Sequence, residues 1–593
     1  MAFRRGGPYP FPKLFLDEFG NQDMTETVRV AAVQLGAGID VEENLANCLR
    51  MIDKAAEQKP QLMVLPEFVN HCSWYDDNEH CYAVAVPLDG PFTAAIADKA
   101  REHGCYIVIN CTVRRRNNGV TSTNILFGPD GTRLADSDKQ VLMGGENNWL
   151  ERATELGPIT DTEIGKIGMF SCMDGVMNET PRCVALRGAQ IMCNTLNSFA
   201  NDEGSLHIPV RAAENRAFVV AANKVGPLVP PGMAEGVAAK LKIGAERLNG
   251  AGESQIVAPD GTVLARAPES GEAVVVADIE VADADLKLRP DATNVFQSRR
   301  PDLYGPIAAE PHPRAYTAKS DSLGVAIYQP AADGPEAVEE VVAALADLDP
   351  GIGLLVLPEL FDHPDGTVTQ PTTAAFQADR TIAALQGALE GHDTLVVTSI
   401  VEAAEDGFSH TGIAIGADGV ALRQPQLHAC GRHPWATALG DAITPLDVVW
   451  GRLALITGGD SIYPEAFRLA TLQDVEVVAV PTAVLEPWEN EFGLAERAAE
   501  NRMTVVAGSR AGGGVGMIAA PDKDFTLWTQ WSRPFNGDIN YPNVTLADGR
   551  PGLTTALADP STAGNRTVTL MTDVVDSRPW TLLGPLVAPV GDL

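Results

Sequence analysis

Cysteine is scarce in this chain, with nine in 593 residues, an odd number. That is too few for a disulfide framework, leaves at least one thiol free, and makes a reducing cytoplasm the expected compartment. Basic residues are also short: 44 Lys and Arg stand against 78 Asp and Glu, for a formal net charge of −34. With no excess of cations to replace counterions, a nucleic-acid partner is excluded. The densest basic run, Arg114-Arg115-Arg116, precedes Asn117-Asn118-Gly119, a hairpin-type turn, and reads as a solvated strand end. No run of about 18 apolar residues occurs, so no membrane partner is expected. Met1 to Pro8 carries basic residues without the apolar core of a signal peptide.

What is present is an ordinary globular composition, 45% hydrophobic and 21% charged, and a long internal repeat. Arg211-Ala212-Ala213-Glu214-Asn215-Arg216 recurs as Arg497-Ala498-Ala499-Glu500-Asn501-Arg502, an offset of 286 residues (497 − 211). The same offset maps Asp174 onto Asp460, Glu179 onto Glu465 and Arg182 onto Arg468. Upstream, Leu65-Pro66-Glu67 pairs with Leu357-Pro358-Glu359, and Val30 to Gln34 pairs with Val325 to Gln329. Matched order with so long a period means duplicated domains, not a solenoid. The expected organisation is an N-terminal arm over 1–24, a domain over 25–304, a proline-interrupted linker over 305–321 and a second domain over 322–593.

Within the first half, short apolar runs alternate with helical spacing. Val28 to Gln34, Leu62 to Leu65, Tyr106 to Val113 and Ile167 to Ser171 read as strands, with a hairpin at Gly128-Pro129-Asp130-Gly131. Gln255 to Ala258, Val263 to Ala267 and Ala273 to Ile279 read as a closing meander. The alternation predicts a layered α/β fold.

Three strand ends carry residues suited to thiol chemistry. A cysteine between an apolar strand and a helix, Cys172, is expected to feel the positive helix end, which favours thiolate. Glu67 is a carboxylate able to take the thiol proton, and Lys139 an ammonium able to stabilise an oxyanion. Glu146, seven residues beyond Lys139, can hold the lysine or exchange protons with a leaving group. Taken singly, each residue has a plainer reading, a buried core thiol or a solvated charge. Order and spacing together favour a site.

On these motifs the first half, from about Val28 to Tyr304, resembles the nitrilase or carbon-nitrogen hydrolase superfamily. The resemblance includes the tail Arg299-Arg300-Pro301-Asp302-Leu303-Tyr304. It implies two tandem αββα sandwiches and a Glu-Lys-Cys triad with a supporting glutamate. By motif position Glu67 is the base, Lys139 the oxyanion-stabilising lysine, Glu146 the second glutamate and Cys172 the nucleophile. Asp174, Glu179 and Arg182 match the family's positions after the cysteine, the last two read as structural. Asn178 replaces a usual proline and Val141 a frequent histidine, changes that alter walls more than chemistry. In the second half, over about Leu323 to Trp580, Glu359 is retained. Gly458 falls at the nucleophile position (465 − 7) and Gln426 or Leu427 at the lysine, so this copy is expected to be silent and to serve as the face of an internal pseudo-dimer.

The resemblance implies cysteine-dependent hydrolysis of a small amide to carboxylate and ammonia through a thioester, with no cofactor and no metal. The backbone amide of Met173 is expected in the oxyanion site, and Met173, Trp149 and Asn197 against substrate. The segment Cys172-Met173-Asp174-Gly175 resembles aliphatic amidases and formamidases more than true nitrilases. Nitrile and N-carbamoyl substrates stay open, as do acyl transfer, a non-catalytic scaffold and further homo-oligomerisation. His71-Cys72 and His80-Cys81 are too loosely paired for zinc and read as a pocket-mouth loop beside Trp74 and Tyr75. Gly512-Gly513-Gly514-Val515-Gly516 lacks the lysine and helix of a phosphate loop and reads as a turn.

Overall fold

The computed structural model describes residues 27–313, 319–512 and 514–591. The arm expected over 1–24 lies outside them. Each half is a pair of sheets built on six strands in order, with the short strand Val86–Pro87 added beside Tyr106–Arg114 in the first. One sheet of the first half runs in spatial order Ala273–Ile279, Val28–Gln34, Leu62–Val64, Tyr106–Arg114, Val120–Phe127, Arg133–Asp138, and the other Val263–Arg266, Gln255–Val257, Phe218–Ala222, Ile191–Thr195, Gly165–Ser171, Thr160–Thr162. The second half repeats both orders strand for strand, from Leu323–Gln329 to Gly552–Ala558 and from Leu446–Val448 to Asn543–Leu546.

The central strands are near-continuous apolar runs because both of their faces are covered. Val30, Val64, Val108, Met169, Ile191 and Val220 fill the space between the two sheets. Outside the first sheet lie helices such as Val41–Ala56, started by Asp40, whose carboxylate accepts from the backbone of Glu42 and Glu43. That helix turns Cys48, Met51, Ile52 and Ala55 inward at helical spacing. The layers are therefore helix, sheet, sheet, helix.

The expected closing meander is split between the sheets. Gln255–Val257 and Val263–Arg266 pair with each other, but Ala273–Ile279 crosses to the first sheet and pairs antiparallel with Val28–Gln34 along all seven residues. Alternation alone does not say which sheet a strand joins.

The halves pack against each other. Leu206, Val210 and Tyr304 of the first share one buried cluster with Tyr463, Phe467 and Phe492 of the second. Around it lie exchanged ion pairs: Arg182 Nε to Glu465 Oε1 at 2.9 Å is mirrored by Arg468 Nε to Glu179 Oε1 at 2.7 Å. Arg211 to Glu500 at 2.8 Å is mirrored by Arg497 to Glu214. Each member of a set becomes the other when 286 is added and the partners are swapped, the pattern of an isologous interface, here within one chain. The tails are exchanged too. Tyr304 Oη lies 2.6 Å from His428 Nε2 of the second half, while Thr572 Oγ1 accepts from Gly144 N at 2.9 Å in the first.

The start of the expected linker is held in place. Gly305–Ala308 is a 3-10 turn with Ile307 buried, and Arg578 donates to the carbonyls of Ile307 at 2.7 Å and Ala309 at 2.9 Å. Prolines end the periodicity there without preventing packing. No described helix is long and apolar enough to cross a membrane.

Candidate active site

Strand ends deliver the three residues. Glu67 follows Leu62–Val64, Lys139 follows Arg133–Asp138, and Cys172 follows Gly165–Ser171. Lys139 Nζ lies 2.8 Å from Glu67 Oε1 and 2.8 Å from Glu146 Oε2, with Glu67 and Lys139 wholly buried. Glu146 Oε2 also accepts from Met143 N at 2.9 Å, which fixes the loop that carries it. Cys172 has φ 44° and ψ −108°, a conformation costing about 1–3 kcal/mol for a side-chain-bearing residue and found where surroundings over-determine it. Here those surroundings are Cys172 N donating to Thr195 O at 2.9 Å and Asp174 accepting from Gln140, Val141 and Ser171.

Two carboxylates share the Lys139 ammonium, and the buried Lys224 acts on Glu67 without an ion pair to it. Burial, with the charge of Glu146, pushes the Glu67 carboxyl up to about 7 against the pull of Lys139. Burial alone would lower Lys139, but Glu146 and Glu67 raise it well above its ordinary value. Burial and then Glu67 push the Cys172 thiol well up. The expectation of a helix-stabilised thiolate is thus corrected: the helix after Cys172 is one turn, Met173–Val176, too short to offset burial. The arrangement is a protonated thiol beside a carboxylate poised near neutrality, with a fixed cation at hand.

Cys172 opens onto a cavity of about 80 Å³. Met173 and Asn197 line it, and Asn197 Nδ2 donates to Ser73 Oγ at 2.9 Å. Trp149 is elsewhere, packed with Tyr82 and Val84 against the Phe68 and Tyr75 cluster. His71 stacks on Tyr75 with His80 edge-on to both, and Trp74 packs near Val229 and Leu248, so these side chains are engaged with one another and do not line the cavity. Residues that the sequence did not flag also reach the cavity: Glu203 and His207 arrive on a π-turn, Glu203–His207, and Leu527, Ile539 and Val574 come from the second half.

At the matching place in the second half, Gly458 keeps the positive φ of Cys172 at +54°. Gln426 occupies the lysine position, since Gln426 N donates to His410 O as Lys139 N does to Ser122 O. A cation is nevertheless present. Arg432, from a loop with no signal in the repeat, lies 2.8 Å from Glu359 Oε1 and 3.1 Å from Oε2. Burial would raise Glu359, but Arg432 and His433 override it and hold it at about 2. Ligand atoms of Glu359, His410 and His433 lie within 4.8 Å of one another. Both ring nitrogens of His410 are engaged, by Gln426 Oε1 at 2.8 Å and Ser399 Oγ at 2.7 Å, and Arg432 repels a cation there. This cluster is a buried hydrogen-bond network built on Arg432, with His433 Nδ1 left without a partner.

The carbon-nitrogen hydrolase family model matches residues 29–286 and again 324–561. The chain belongs to the carbon-nitrogen hydrolase family. This hydrolase is 27% identical over 281 residues to a nitrilase of Pyrococcus abyssi, covering 47% of the chain and 99% of that protein. It is 26% identical over 290 residues to the chloroplastic omega-amidase of Arabidopsis thaliana, covering 46% and 73%. To the N-carbamoylputrescine amidase of Solanum lycopersicum it is 25% identical over 292 residues, covering 47% and 93%. Among solved structures, the C. elegans NitFhit protein aligns over 47% of this chain and 66% of its own at 24% identity, with a TM-score of 0.40. The tandem nitrilase-like sandwiches and the membership of a hydrolase family follow from the double match.

Proposed function

We propose that the first half hydrolyses small amides through a thioester on Cys172. Glu67 takes the thiol proton, and the sulfur attacks the carbonyl carbon while Lys139 and the Met173 amide hold the oxyanion. The C–N bond breaks as Glu67 returns that proton to the departing nitrogen, releasing ammonia or an amine. Water, deprotonated by Glu67, then cleaves the thioester to carboxylate and restores the thiol. Glu146 keeps Lys139 charged and aimed. The observation that carries this reading is Lys139 held at 2.8 Å from each of two carboxylates behind a strained cysteine on a cavity wall. The relatives carry the names nitrilase, omega-amidase and N-carbamoylputrescine amidase at similar identity, so the choice of amide rests on the segment Cys172-Met173-Asp174-Gly175.

The second half is read as catalytically silent, because Gly458 bears no nucleophile and Glu359, locked on Arg432, has no proton-accepting range near neutrality. Its role is that of the inner partner in a pseudo-dimer. Nine described cysteines, all unpaired, support a reducing compartment. The test is intact mass spectrometry of the protein incubated with amides, nitriles and N-carbamoyl compounds, beside Cys172→Ala. An acyl adduct that vanishes in Cys172→Ala is expected with amides. Turnover that survives Cys172→Ala, or no adduct and no turnover with any compound, sinks the reading.

A further inference from the structure

The halves differ sharply at one turn. Strands Gln255–Val257 and Val263–Arg266 are joined by the five residues 258–262, but their counterparts Met517–Ala520 and Asn543–Leu546 are joined by the 22 residues 521–542. The added chain does not stand away from the body. It crosses to the first half, where Asn201 N donates to Gly537 O at 2.9 Å and Asn540 N to Asp202 Oδ2 at 2.5 Å. Leu527, Ile539 and Asn540 from it, with Val568 and Val574 further on, form one wall of the Cys172 cavity. Beyond Leu527 and Phe199 lies a second space of about 60 Å³, lined by Leu248, Trp528, Trp531 and Phe535. Leu527 and Phe199 border both spaces and divide them.

Size and polarity limit what fits beside Cys172. A cavity of 80 Å³ is about half the roughly 150 Å³ of an engineered apolar cavity that accepts benzene, so a phenyl ring is excluded and a chain of roughly three to five carbons is not. Met143, Met173, Val176, Leu527, Val568 and Val574 make most of the wall apolar, with Asn197, Ser198 and Asn540 as its neutral polar members. The charged lining groups are Asp202, Glu203 and His207, and His207 Nδ1 is already 2.8 Å from Glu496 Oε2. His207 is thus the one cation among the described lining residues, with its Nε2 facing Asp202 Oδ2 at 3.8 Å, and a substrate carboxylate would meet Asp202 and Glu203 beside it.

We propose that the 521–542 segment of the second half is the specificity element of the first half's active site: it sizes the cavity for amides of short, apolar aliphatic acids, with Leu527 as the partition that keeps larger acyl groups out. This rests on the amide-hydrolase reading above. Full-length protein is assayed for kcat/KM on acetamide, butyramide, phenylacetamide and succinamate, as wild type, Leu527→Ala and Leu527→Phe. Burial of each added methylene is worth about fourfold, so butyramide should exceed acetamide by about 15-fold, with phenylacetamide and succinamate poor. Leu527→Ala joins the two spaces and should raise the phenylacetamide-to-butyramide ratio by about tenfold or more, while Leu527→Phe should lower the butyramide-to-acetamide ratio. Wild-type preference for acetamide or succinamate, or ratios unmoved by both substitutions in folded protein, overturns the proposal and leaves the hydrolase reading intact. No turnover of any amide and no Cys172 adduct overturns both.

Discussion

Activity should fall on the acid side at an unusually high pH. Glu67 must be ionised to accept the thiol proton, and its pKa is raised to about 7, so kcat/KM climbs with pH and levels off above about 7. Two pH units below that value only about 1% of Glu67 is ionised, so at pH 5 the rate constant should be about 100-fold under its plateau. A glutamate at its ordinary 4.5 would be about three-quarters ionised at pH 5 and would cost almost nothing. The assay is kcat/KM for a short aliphatic amide between pH 5 and 9, with circular dichroism to show that the fold persists at the acid end. Glu146→Gln supplies the internal control. It removes one of the two negative charges around Lys139, so whatever activity survives should show its acid limb moved to lower pH. A wild-type limb near 4.5, or a limb in Glu146→Gln that stays put or moves upward, refutes the account of two carboxylates sharing one ammonium.

Two further outcomes follow from the second half and the interface. Gly458→Cys should not create a second active site, because a Cβ at 458 would lie 2.6 Å from His410 Cε1 and 2.7 Å from Glu359 Oε2. In a Cys172→Ala background it should give no amide hydrolysis and a lower melting temperature, and measurable hydrolysis there would contradict the crowding around Gly458. Arg468→Leu strands buried Glu179 and should cost about 3–5 kcal/mol, seen as a lowered thermal midpoint, and adding Glu179→Leu should recover much of that loss. If the double variant melts no higher than the single, the ion pair is not the source of the effect.

The candidate site's three residues were legible as candidates because each sits at the end of a strand, where a local motif and its position in the fold are fixed together. The repeat was legible for the same reason, and the structure extends it to the shared positive φ of Cys172 and Gly458, of Phe68 and Leu360, and of Arg216 and Arg502. What escaped sequence reading is what loops decide. Arg432 supplies the cation that Gln426 lacks, from a segment whose reach depends on packing and not on spacing. Trp149 is near Lys139 in sequence yet turns into the Phe68 cluster. The thiol's state followed from burial, which the motif around Cys172 does not encode, and the helix expected to oppose it is a single turn. The destination of Ala273–Ile279 was equally hidden, since its alternation suits either sheet.

In a dimer of identical subunits every substitution appears twice, so a longer turn on one copy arrives with its image on the other and the two must coexist. Fusing the halves through exchanged tails keeps the mirrored arginine and glutamate contacts while abolishing that constraint. Here one turn has five residues and its mirror image 22, so the two faces need not match and one of them can be shaped to suit a single ligand.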